Sequence, residues 1–62
     1  MRRGIIYQIK ADIVETKEKI EELEARFLTA LNLHEKDTAF VMLNCYRNRL
    51  TSLYEKLELE FI

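Results

Sequence analysis

Apolar residues recur at three- and four-residue steps along two stretches of this chain, and the two stretches are out of phase. With Ile6 at position a of a heptad, the a positions are Ile6, Ile13, Ile20 and Phe27; the d positions are Ile9, Thr16, Leu23 and Ala30. Only Thr16 is polar, and the intervening residues, as in KADIVETKEKIEELEAR, are dense in charge. That period predicts an amphipathic helix packed along its length on another helix. Thr16 reads as a threonine bonding back to its own helix. The second stretch runs through Ala39, Leu43, Tyr46, Leu50, Leu53 and Leu57 with the same alternation of steps. Between Phe27 and Leu43 the spacing exceeds two heptads by two residues, which would turn the stripe of one continuous helix by about 200°. It would also put His34 and Asp37 on the old stripe. A chain whose apolar side changes face in this way folds back on itself.

The fold expected is therefore all-α, an antiparallel two-helix hairpin in one domain, residues 1–62. Helix 1 spans about residues 5–31, a connector 32–37, and helix 2 about residues 38–61. In the connector, ALNLHEKDTAF, Asn32 suits a left-handed position closing helix 1, and Asp37 or Thr38 suits the N-cap of helix 2. Asn32 with Glu35 offers an alternative, a capping box that adds a short turn inside the connector. If Leu31 faces Thr38, then Lys10 falls near Glu58 and Glu60, Asp12 near Lys56, and Glu22 near Arg47, all matched in sign.

Composition sharpens the picture at one point. Sixty-two residues bury only about 60% of the surface that the unfolded chain exposes, so a lone core is marginal. One cysteine (Cys45) and one histidine (His34) leave no internal disulfide and no zinc cluster; association with another chain is the remaining remedy. The chain is 48% apolar and 34% charged, has no proline and one glycine, and carries a net charge of −1. These values exclude disorder and argue against a general nucleic-acid binder. The longest uncharged run, Thr38–Tyr46, is too short to span a bilayer, and MRRGIIYQIK is too quickly charged for a signal peptide. With a lone thiol, a cytoplasmic setting and no membrane association are expected.

The apolar residues outnumber the seam positions. Tyr7, Val14 and Leu28 at position b of helix 1, with Ile5, and Phe40, Tyr54 and Phe61 at position e of helix 2 describe a second greasy side. Left uncovered it would promote aggregation. A second copy covers it most economically, giving a twofold four-helix bundle. The expected interface residues, for a homodimer or for a protein partner, are Tyr7, Val14, Leu28, Phe40, Tyr54 and Phe61.

No catalytic residues, cofactor or metal site is expected. Cys45 has no base nearby in sequence and reads as a small packing residue; His34 reads as a solvated turn residue. Glu18, Glu21, Glu22 and Glu24 fall outside a and d and read as a solvated face. The segment YRNRL is the nucleic-acid candidate, but Arg47 and Arg49 point about 200° apart and flank the seam at e and g. Together with Arg2 and Arg3 they are the candidate nucleic-acid contacts, an alternative to protein binding.

In size and pattern the chain resembles the Rop class of plasmid RNA-binding proteins, helical hairpins of about sixty residues that pair into antiparallel dimers. The similarity is architectural and spans the whole length, so it implies a fold, with RNA binding as the rival function, and no site residues. Small hairpin adaptors of viruses and plasmids have the same look. Around RNRLT (47–51) there is also a resemblance to sporulation phosphatases with a Ser-Gln-Glu-Leu-Asp signature. Only Leu50 agrees, and threonine replaces the aspartate on which that family's activity depends. The expected function is non-enzymatic: a small adaptor or regulator that homodimerises and binds another macromolecule through helix faces.

Overall fold

The computed structural model describes residues 2–61, and of Arg2 the backbone only. Two α-helices, α1 (Arg2–Thr29) and α2 (Leu33–Glu60), pack side by side as a hairpin about 48 Å long and 14 by 11 Å across. Each helix has 28 residues. The seam is the one the heptads describe. Ile9, Ile13, Thr16, Ile20 and Leu23 of α1 are buried against Ala39, Leu43 and Leu53 of α2. Leu23, at 1% exposure, is the most enclosed side chain.

The seam holds two clusters. Ile9, Ile13 and Leu53 form one with Leu57; Ile20, Leu23 and Leu43 form the other with Phe27, Met42 and Tyr46. Leu50 packs against both and joins them. Thr16 sits between the clusters at 4% exposure. Its hydroxyl donates to the carbonyl of Asp12 at 2.6 Å, so the one buried polar side chain of the seam is satisfied within its own helix. No buried side-chain nitrogen or oxygen among the described residues lacks a partner.

The connector is shorter than expected and lies earlier. Residues 30–32 join the helices, and α2 begins at Leu33, a full turn before the expected start at residue 38. Asn32 is not left-handed: its φ of −143° and ψ of 167° are those of an N-cap. Its side-chain oxygen accepts from the amide of Glu35 at 2.9 Å, and the Glu35 carboxylate accepts from the amide of Leu31 at 3.2 Å. The Asn32–Glu35 box thus opens α2 itself instead of adding a turn, and neither Asp37 nor Thr38 is needed as a cap. At the other end α1 runs through Gly4 to Arg2, because an isolated glycine costs a helix only about 1 kcal/mol. Asn32→Ala removes the cap and leaves the Glu35 amide without its acceptor, and should lower stability by about 1 kcal/mol. Thermal unfolding followed by circular dichroism checks this.

The cross-helix ion pairs differ from those expected. Arg47 meets Glu24 rather than Glu22, with Nη2 4.0 Å from Oε1. Glu22 is held instead by its own helix, between Lys19 at 3.7 Å and Arg26 at 3.1 Å. Lys10 with Glu58 and Asp12 with Lys56 do not form the expected ion pairs among the described residues; Asp12 accepts from Gln8 at 3.1 Å. Such exposed pairs are worth a few tenths of a kcal/mol, too little to oppose a well-capped turn.

Candidate interaction surface

In α2, position e falls on Leu33, Phe40, Arg47, Tyr54 and Phe61, one heptad apart from end to end. A residue at e lies about 70° from the seam centre, so this row borders the packed interface without entering it. The structure brings α1 residues alongside it. The Lys17 ammonium stands over the Tyr54 ring at 5.6 Å, Glu24 meets Arg47, and Phe40 tilts against Phe27 with ring centroids 6.3 Å apart. Glu24, Phe27, Leu28, Phe40, Leu43 and Arg47 border one shallow depression. The side chains of both helices converge because each Cα–Cβ bond tilts toward its own N-terminus and the helices run in opposite directions. One long side of the rod therefore carries three consecutive pairs: Tyr54 with Lys17, Arg47 with Glu24, and Phe40 with Phe27, with Leu28 alongside.

All six residues assigned to the second apolar side are exposed in the hairpin. Leu28 is 79% exposed and Tyr7 74%, with Val14, Phe40, Tyr54 and Phe61 between 43% and 68%. Two further residues extend the row at the turn: Leu31, 92% exposed, and Leu33, 75%. Sequence reasoning missed both. Leu33 lies one heptad before Phe40, and that spacing was the signal; placing residues 32–37 in the connector concealed it.

The opposite long side is mixed, with charged residues beside the exposed Ile5 and Leu59. Arg49 borders a cleft with Glu15, Thr16, Lys19 and Tyr46, on the other side of the seam from Arg47. The two arginines of YRNRL are thus kept apart, and Arg47 is partnered by a carboxylate. Arg3 lies near the free end of the hairpin beside Ile6, Tyr7 and Lys10; the side chain of Arg2 lies outside the described residues. The candidate nucleic-acid contacts therefore do not gather into one patch within a hairpin.

An open cleft of about 390 Å³ lies at the turn between Arg26, His34, Glu35, Thr38 and Met42. His34 is exposed there, and its carbonyl accepts from the Thr38 hydroxyl at 2.9 Å. Cys45, expected to pack, is instead exposed as a free thiol: position c points away from the seam and from the aromatic row alike. Glu18, Glu21, Glu22 and Glu24 are exposed, and no group of histidine, cysteine and carboxylate side chains among the described residues is placed to hold a metal ion. No helix among the described residues is long and apolar enough to cross a membrane. Comparison with family models, with characterised proteins and with solved structures returns no match for this chain.

Proposed function

We propose that this protein is a non-enzymatic helical-hairpin adaptor or regulator that works as a homodimer, two hairpins forming a four-helix bundle whose outer faces contact another macromolecule. The observation that carries this reading is the row of Leu33, Phe40, Tyr54 and Phe61, interrupted by Arg47 and flanked by Tyr7, Val14 and Leu28, exposed along one side of the rod.

Area points to a second copy as its cover. The hairpin exposes 5116 Å². A compact monomer of 7.5 kDa exposes about 4,250 Å² by the usual scaling of surface with mass. The excess, about 870 Å², follows from the elongated shape, 48 by 14 by 11 Å, and such a rod offers room on one side for the roughly 800 Å² that each partner contributes to a stable interface. Self-association also relieves the marginal core of a chain this short, since two hairpins share one larger core. Four of the five residues in the row, Leu33, Phe40, Tyr54 and Phe61, are large and apolar at heptad positions, the pattern of a helix that packs on further helices. The absence of a convergent set of buried polar groups in either cleft leaves binding as the activity best supported, and a reducing, cytoplasmic setting suits the exposed thiol.

Coupling of folding to association provides the test. If two chains share the core, the midpoint of thermal unfolding rises with protein concentration, because mass action favours the bound state. A midpoint that stays constant over a thousandfold range of concentration overturns the homodimer.

A further inference from the structure

We infer that the two hairpins associate with both turns at the same end of the bundle. This rests on the self-association reading and adds the orientation of the copies.

A twofold dimer of hairpins has two simple arrangements. If the axis runs along the rod, the turns lie together, and α1 of each copy packs on α2 of the other. If the axis crosses the rod within the interface, the turns lie at opposite ends, and each helix packs on its own counterpart. Both can bury the apolar row. They differ in what happens to its charged residue.

Arg47 lies at the midpoint of α2, between Leu33 and Glu60. Full overlap of two rods with opposed turns puts the axis at that midpoint, so Arg47 would face the partner's Arg47 inside the interface. Like charges brought together and stripped of water are strongly unfavourable. With the turns together, each level of the rod meets the same level of the other copy with the helices exchanged. Arg47 then faces the partner's Glu24 and Glu21 while keeping its own Glu24 at 4.0 Å, and four charges alternate in sign around the axis. The neighbouring levels are likewise preserved. Lys17, already over the Tyr54 ring at 5.6 Å, gains the partner's Tyr54 as a second face. The apolar end formed by Leu28, Leu31, Leu33 and Phe40 meets its own copy, so the most exposed leucines of the molecule are buried together. Opposed turns would instead distribute that cluster against the Tyr7 end, beside Lys10.

Two of the three levels, Tyr54 with Lys17 and Arg47 with Glu24, pair a residue of α1 with a different kind of residue on α2. A surface built of unlike pairs complements itself when the helices are exchanged, and conflicts with itself when like helices meet.

Distance between spin labels distinguishes the arrangements. His34 is exposed, lies off the aromatic row and sits at the start of α2. In the full-length chain, Cys45→Ser with His34→Cys gives one labelling site per copy. Turns together place the two labels across the bundle diagonal, within about 30 Å including the label arms, since neighbouring helices are about 10 Å apart. Opposed turns separate them by about 40 Å along the rod. A single short distance that disappears on dilution with unlabelled protein supports the inference. A distance near 40 Å in a confirmed dimer overturns the orientation alone. Monomeric protein with no dipolar coupling overturns both the orientation and the homodimer beneath it. Labelling at position 55 (Glu55→Cys, with Cys45→Ser) provides a second site near the free end: turns together again give a distance within about 30 Å.

Discussion

Leu50→Asp is expected to abolish the hairpin. Leu50 touches both core clusters and is the residue that makes them one core, so the substitution strikes each at once. It replaces an apolar side chain by a carboxylate beside Ile13, Thr16 and Leu53, where no cation is placed to receive it. Removing this half-buried leucine costs about 2 kcal/mol, the low end for core leucines, even without the charge, and desolvating the carboxylate adds to that. A domain of this size holds only about 3–5 kcal/mol in total. Far-UV circular dichroism should therefore lose its helical signal at room temperature. Leu50→Met, which conserves volume, should keep it, with a loss under about 1.5 kcal/mol. Full helicity in the aspartate variant would contradict the seam.

Leu28→Glu is expected to separate association from folding. Leu28 is 79% exposed in the hairpin and contributes little to the seam, and glutamate is a good helix former. In the dimer the substitution occurs twice by symmetry and brings each new carboxylate close to Phe40, Glu21 and Glu24. A weakening of about a thousandfold in dimer dissociation constant follows if each chain loses a contact of hot-spot strength, about 2 kcal/mol. Helicity at low temperature should be retained, because the cap at Asn32 and both core clusters are untouched. Sedimentation velocity over a concentration series, with circular dichroism on the same samples, reads both quantities. An unchanged dissociation constant would place the interface elsewhere.

The seam was legible in the sequence because it rests on a strong physical signal. Every a and d residue of α1, Thr16 included, had to face α2 once the stripe changed sides, and each does so. The turn was harder to read because two local solutions used the same residue. Asn32 can close one helix in the left-handed region or open the next by capping, and the sequence does not rank these. The reciprocal bond from Glu35 to the Leu31 amide tips the balance, and it exists only once the chain has turned. The ion pairs were misplaced for a separate reason. Their signs agree in more than one register, and each pair is too weak to choose between registers about one turn apart. The apolar side was legible at six positions through heptad spacing; Leu31 and Leu33 were lost to the misplaced connector. Cys45 was misread because a small, moderately apolar residue is usually buried, whereas position c of a two-helix hairpin faces out.

The central claim is that this hairpin exposes one apolar side because a second copy covers it. Sedimentation equilibrium of the unmodified protein across a broad concentration range tests it most directly. The account predicts a mass of twice 7.5 kDa at the upper concentrations, falling toward one chain on dilution. A single-chain mass that persists at the highest concentration, with helicity intact, would contradict it.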